Sequence, residues 1–311
     1  MSSRPYDLLT LGDPVADLML RAEQLPPPGG KTVGQWLGVL PGGTTANVAC
    51  AASRLGMHCA QFGRVGDDPH AQLLRDSLGE YGVATQWLTV QQQAASASAV
   101  AILAPSGEKS IIYLPMAAAT LDTDALHTAL RQSRLVYAMP YDLAELETVS
   151  HLARATGTLV AIDLEAAVAP NADEMWRRAS LADIVFFNEA GFHKATGCAP
   201  SAQVLTEALR LGPSEIIVTL GAGGALGAVR TSSSRHAAFP AQVVDTTGAG
   251  DCFNAAYLSA RLRGQPLSLA LRFACAAASC VVSALGARHG LPDQGSVAAI
   301  LAATACTGAT S

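Results

Sequence analysis

Short, nearly uninterrupted apolar runs alternate with helix-spaced segments along most of this chain, and that alternation decides the fold class. The strand-like runs are residues 7–12, 58–63, 135–139, 159–163, 184–187, 215–220 and 225–230. Helix-like segments fall at 46–55, 71–81, 144–155, 173–179 and 202–211. Strands apolar throughout are strands covered on both faces. Strand–helix alternation of that kind implies right-handed crossovers and an open, mostly parallel, doubly wound α/β sheet. Two stretches break the pattern. Residues 18–40 carry Pro26-Pro27-Pro28-Gly29-Gly30, and the β-like runs 99–104 and 110–114 are joined by Pro105-Ser106-Gly107-Glu108, a turn signal. They read as a small β subdomain formed by about 14–40 and 97–116, projecting from one α/β domain that spans 1–311. Such a flap closes over a substrate, serves as a homodimer contact, or does both.

Half of the 311 residues are hydrophobic and only 14% are charged, so a large core is expected and long disorder is not. A net charge of −5 without a basic run argues against nucleic acid as a partner. No apolar run reaches membrane-spanning length, and residues 1–11 lack a signal-peptide core. The seven cysteines show no metal-finger spacing and are expected to be buried free thiols in a reducing cytoplasm. The tail from Ala302 is expected to fray.

Chemistry concentrates in Asp245-Thr246-Thr247-Gly248-Ala249-Gly250-Asp251, which runs straight into an apolar helical segment, 252–262. A helix N-terminus exposes unpaired N–H groups and attracts anions, and glycines let the backbone come close to one. A carboxylate beside an anion would only repel it. It makes sense facing a hydroxyl that loses its proton while attacking a phosphate. An ordinary helix cap is the alternative. Gly42-Gly43 precedes a second helix with Asn47 one turn in, a pattern suited to hydroxyl groups or to a plain turn. Asp17 adds a carboxylate acceptor. Thr219-Leu220-Gly221-Ala222-Gly223-Gly224 ends a strand in a glycine loop that is neither a P-loop nor a dinucleotide turn. It is nucleotide-facing or simply a hairpin. Asp13, Asp163 and Asn188 sit at or just after strand ends, where open α/β sheets bind ligands. Asp163 is expected to touch substrate or metal, or to cap a helix.

Taken in order and spacing, these blocks, with Phe62-Gly63-Arg64-Val65-Gly66-Asp67-Asp68, resemble the ribokinase-like carbohydrate kinases of the phosphofructokinase-B family. The likeness implies ATP-dependent phosphorylation of a primary hydroxyl on a sugar or sugar-like alcohol. It implies Asp251 as base, with Gly248, Ala249 and Gly250 as the anion hole. Asp17, Gly42, Gly43 and Asn47 then hold the sugar, and Asn188, Thr219, Gly221 and Gly224 lie on the ATP side. Magnesium accompanies ATP, and a monovalent cation, typically potassium, is implied at Asp245, Thr247 and the Val282 carbonyl. The family's Asn-x-x-Glu departs here to Asn188-Glu189-Ala190-Gly191, which leaves open whether Glu189 supplies the missing carboxylate. An ordinary aspartate, with a pKa of roughly 3.9, would already be ionised at neutral pH. The rival readings are a nucleoside kinase of the same fold, needing an aromatic base-binding surface, and a sensing protein that has lost catalysis. An acidic or phosphorylated acceptor would need a cation, for which Lys31, Arg64 and Lys109 are candidates.

Overall fold

The computed structural model describes residues 4–104 and 109–307, with side chains as far as residue 303. The strands are β1 (Tyr6–Leu11), β2 (Val15–Ala22), β3 (Gly34–Gly42), β4 (Cys59–Val65), β5 (Ala84–Val90), β6 (Ser98–Leu103), β7 (Lys109–Leu114), β8 (Ser133–Ala138), β9 (Leu159–Asp163), β10 (Ile184–Asn188), β11 (Glu215–Thr219), β12 (Ala225–Val229) and β13 (Ser232–His236). Nine of them form one sheet in the order β13-β12-β11-β10-β9-β8-β1-β4-β5, in which only β12, antiparallel to both its neighbours β11 and β13, runs against the rest. The other four form a separate sheet, β3-β2-β6-β7.

Period-two alternation along each strand explains how the large sheet divides its core. Leu8, Leu135, Tyr137, Phe186 and Ile217 point to one face, and Leu9, Val136, Val185, Phe187 and Ile216 to the other. The first face is covered by the helices Thr44–Arg54, Pro69–Glu80, Ala249–Leu262 and Leu267–Val281. The second is covered by Thr123–Arg131, Leu143–Thr156, Ala172–Ala179, Glu189–Thr196 and Ala202–Ala208. The doubly wound reading therefore holds, and so does the small β lid. The turn expected at Pro105–Glu108 lies outside the described residues.

Two small-residue surfaces fix the geometry of the site. The Thr44–Arg54 helix buries Ala46, Ala49 and Cys50, and the Ala249–Leu262 helix buries Cys252, Ala255 and Ala256. Small side chains let the two helices pack directly against each other, bringing their N-terminal turns together. At the C-terminus the chain is helical over Gln294–Thr307, so the expected fraying from Ala302 is not what the backbone does there. Among the described residues no helix is long and apolar enough to cross a membrane. Described cysteines are free, and Cys198 is exposed, against the expectation that all would be buried.

Candidate active site

The helix-to-helix contact places Asn47 Nδ2 2.8 Å from Asp251 Oδ2, across 204 residues of sequence. What orients Asn47 is Arg288, which sequence reasoning missed. Its Nε donates to Asn47 Oδ1 at 2.9 Å, and its other donors reach Ser77 Oγ at 2.8 Å and the Gly42 carbonyl at 2.9 Å. An arginine only donates and a carboxylate only accepts, so the Asn47 amide has one orientation that satisfies both neighbours. Arg288 is 4% exposed. Its only sequence signal is a cation flanked by Ala287 and His289 near the end of a long apolar stretch, and its partners are more than 200 residues away.

Burial pushes the Asp251 carboxyl up to about 7, with the Asn47 hydrogen bond pulling it down, Glu165 and Asp17 raising it and Arg288 lowering it. The carboxyl is therefore not the ordinary acid expected from sequence. Desolvation disfavours its charged form more than its one hydrogen bond and the nearby guanidinium favour it. Asp17, on β2, is likewise lifted to about 6 by burial, against the pull of Arg288 and Lys109. Its carboxylate lies so close to Gly42 that a Cβ there would collide with Asp17 Oδ2. Gly43 begins the Thr44–Arg54 helix at φ 91°, a conformation that favours glycine, and a Cβ would stand 2.9 Å from the Val15 amide nitrogen. Asp17, Gly42, Gly43, Asn47 and Asp251 thus lie together, the set that the family resemblance implies.

On the other side of Asp251 the Ala249–Leu262 helix starts at Gly248 with φ 77° and without a side-chain cap. A Cβ on Gly248 would meet the Ala287 Cβ at 2.7 Å. The uncapped first turn presents its amides outward, the arrangement that binds anions. Ala249 and Gly250 also line a cavity of about 1220 Å³, whose wall includes Asn188, Thr219, Gly221, Gly224 and Phe239. All four residues expected on the nucleotide side are there. Gly221 and Gly224 are hairpin glycines as well: β11 and β12 pair antiparallel through them, and a Cβ on Gly224 would collide with the His236 carbonyl.

The missing glutamate at position 191 has a steric cause. Asn188 caps the Glu189–Thr196 helix, its Oδ1 accepting from the Gly191 amide at 2.7 Å. Any side chain at 191 would run into the Leu164 carbonyl oxygen, and its Cβ would stand 3.2 Å from Glu165 Cα. Glu165 lines the same cavity as Asn188 and Glu189, and burial raises its carboxyl. Two acidic side chains lining one cavity suit magnesium, which takes one or two carboxylates and completes its shell with water and phosphate. The described residues contain no group of three or more His, Cys, Asp or Glu able to cage a metal by themselves.

Several expectations need correction. Asp163 neither caps a helix nor opens to the cleft. It is 8% exposed, its Oδ2 accepts from Asn254 Nδ2 at 2.8 Å and from the Tyr137 hydroxyl at 3.3 Å, and burial pushes its carboxyl to about 8. Arg64 is held by Asp13 at 2.7 Å. Lys109 donates to Asp245 Oδ1 at 2.5 Å and to Thr247 Oγ1, the two side chains read as monovalent-cation ligands. The Val282 carbonyl already accepts from the amides of Val244 and Asp245. Burial alone would raise the Asp245 carboxyl, but hydrogen bonds from Lys109, Thr247 and Gly286 outweigh it and hold the group at about 2. A potassium ion does not fit beside an ammonium already on that carboxylate.

Residues 7–294 match the family model for pfkB family carbohydrate kinases. The chain is 29% identical to the ribokinase of Bacillus subtilis, covering 95% of this chain and 99% of that one. It is 27% identical to a nucleoside kinase of Methanothermobacter thermautotrophicus, covering 94% of each. The solved Arabidopsis thaliana ribokinase complexed with ribose and ATP superposes with a TM-score of 0.81 at 28% identity, over 95% of this chain and 98% of that one. Lid, parallel sheet and glycine-rich helix start together agree with these likenesses: the chain belongs to the pfkB family of carbohydrate kinases and is a ribokinase-family, ATP-dependent sugar or nucleoside kinase.

Proposed function

We propose that this kinase phosphorylates a primary hydroxyl of a neutral sugar or sugar-like alcohol, with Asp251 as the base and the amides of Gly248, Ala249 and Gly250 as the anion hole. One observation carries the reading: the Asp251 carboxylate is fixed between an uncapped helix start and the Asp17–Gly42–Asn47 cluster. The acceptor oxygen bonds to the γ-phosphorus, the bond from that phosphorus to the β,γ-bridging oxygen breaks, and ADP leaves. The hydroxyl proton passes to Asp251. General-base help of this kind contributes about 10²–10⁴ in rate, and alignment and charge stabilisation supply the rest.

Charge favours a neutral acceptor. Arg64 is neutralised by Asp13, Lys109 by Asp245, and Arg288 spends its donors on protein oxygens. Lys31 is exposed on the lid connection. Two carboxylates, Asp17 and Asp251, remain at the acceptor side, which would repel an acid. One observation favours the nucleoside reading: Tyr113 of the lid is half exposed and stands in register with Ala99, and through it with Asp17, on one face of the lid sheet. ADP release measured across neutral sugars, sugar acids and nucleosides decides the matter. A neutral sugar giving the highest kcat/KM is expected. A nucleoside or an acid in that place overturns the sugar reading, and ATP binding without ADP release from any acceptor supports a sensing protein.

Magnesium bound with ATP offsets the charge of the phosphates. Asn188, Glu189 and Glu165 would hold it, with Glu165 supplying the carboxylate that position 191 has no room for. Glu165→Gln is expected to weaken magnesium binding to the ADP-loaded protein by roughly tenfold or more, read by calorimetry. An unchanged magnesium affinity would remove Glu165 from this role.

On the lid face away from Asp17, Trp36 and Ile112 are each more than half exposed. An apolar face of that kind is the surface we assign to a homodimer. Light scattering is expected to give a dimer for the wild type and a monomer for Ile112→Asp. A monomeric wild type rejects the assignment.

A further inference from the structure

The buried Asp245 carboxylate stands just before the uncapped helix start proposed above as the anion hole, and its side chain is 3% exposed. It also organises the loop around it. Oδ1 accepts from the Thr247 amide at 2.9 Å and the Thr247 hydroxyl at 2.6 Å, while Oδ2 accepts from the Gly286 amide at 2.8 Å. A carboxylate so enclosed needs a compensating cation, because an unpaired buried charge is strongly destabilising. The cation present belongs to the chain. Lys109, the first residue of lid strand β7, reaches across 136 residues of sequence to place its ammonium on Asp245 Oδ1 and Thr247 Oγ1. Its side chain is 17% exposed, so the charge is largely withdrawn from solvent.

We infer that Lys109 is a tethered counter-ion that fills the monovalent-cation seat beside the phosphate-facing helix, so that the kinase runs without potassium. Three features carry this inference. The ammonium contacts both side-chain oxygens that an ion would use. The nearby Val282 carbonyl is already taken by two amides. A second monovalent cation would meet a like charge at contact distance. A tethered ammonium also needs no capture from solution, so its entropy cost is met within the fold. Since Lys109 rides on the lid, the cation arrives with the lid. Closure and the set of the Asp245–Thr247 loop then become one event. Lys109 acts through that loop and not on the reacting atoms, which makes it a positioning residue.

The test uses the full-length enzyme, dialysed into tetramethylammonium buffer and then given potassium. Melting temperature and ATP affinity need no acceptor, so they stand apart from the reading of the sugar site, on which only the turnover arm rests. The wild type is expected to keep the same melting temperature, ATP affinity and turnover with and without potassium. Lys109→Met is expected to lose roughly tenfold or more in turnover and ATP affinity in potassium-free buffer, and to recover part of both, with a higher melting temperature, when potassium is added. Lys109→Gln, polar and of similar length, provides a second variant should the methionine form fold poorly. A wild type activated roughly tenfold by potassium overturns the inference. So does a folded variant with undiminished potassium-free activity, or one on which potassium has no effect.

Discussion

Asp251→Asn is expected to lower turnover by roughly 10²–10⁴-fold while leaving ATP and acceptor affinity within a few-fold of wild type. The asymmetry follows from the local bonds. Asn47 donates to Asp251 Oδ2, and an asparagine can offer its carbonyl oxygen to the same donor, so the neighbouring geometry survives. Only the proton acceptor disappears. Near-normal turnover would reject Asp251 as the base. In the wild type, that base works only when ionised, and burial sets its pKa at about 7, so kcat/KM should rise as pH climbs through that value. A profile that rises instead near the ordinary carboxylate range would mean that the free enzyme solvates Asp251 fully. Stability should move the other way. A carboxyl whose folded pKa lies above its unfolded one stabilises the fold while protonated, and that contribution is lost as pH rises through about 7. Asparagine cannot ionise. Above that pH the variant is expected to melt at or above the wild-type temperature, so activity and stability separate in one substitution.

The parts of this site that were legible in the sequence share one property: their chemistry is local. Gly248 to Asp251 marks a glycine-bearing helix start that suits an anion or an ordinary cap, Gly42-Gly43 with Asn47 marks one that suits hydroxyl groups or a plain turn, and it is their order and spacing along the chain that carry the family resemblance. The parallel strands were legible because burial on both faces leaves continuous apolar runs. Strand β13 left no such trace, since Ser232-Ser233-Ser234-Arg235-His236 is a polar edge strand paired on one side only. The Glu189–Thr196 helix was hidden by Gly191, whose presence reads as a breaker and is in fact required by the Leu164 carbonyl beside it. The two decisive cations were illegible for another reason. Lys109 and Arg288 each look like a solitary surface charge, and their partners lie 136 and more than 200 residues away. Nothing short of the packed fold shows that one meets Asp245 and the other Asn47. The elevated carboxyls follow the same rule, because burial is a property of packing and not of motif.

Arg288→Met should be the most damaging single change outside the reacting groups. The side chain is nearly isosteric along its stem, so packing is mostly kept while three hydrogen bonds and a buried charge are lost. The Gly42 carbonyl and the Asn47 amide oxygen are then left without their donor in a region closed to water. Removing one member of such a buried charged network costs about 3–5 kcal/mol. Asn47 is no longer held to one amide orientation, so its contact with Asp251 loosens, and a misplacement of that size near the chemistry costs on the order of 10²-fold in rate. Arg288 also lowers the carboxyls of Asp251 and Asp17 through its charge, so their pKa values should rise without it. The pH midpoint of kcat/KM should therefore move in the alkaline direction. That displacement is the telling readout, because a purely structural loss would lower activity at every pH and leave the midpoint in place. Arg288→Lys keeps the charge and gives up the fork of donors. It should restore most of the midpoint and little of the rate, separating the electrostatic part of the role from the geometric one. An Arg288→Met enzyme with wild-type rate and an unmoved midpoint would leave Asn47 to be oriented by Asp251 alone.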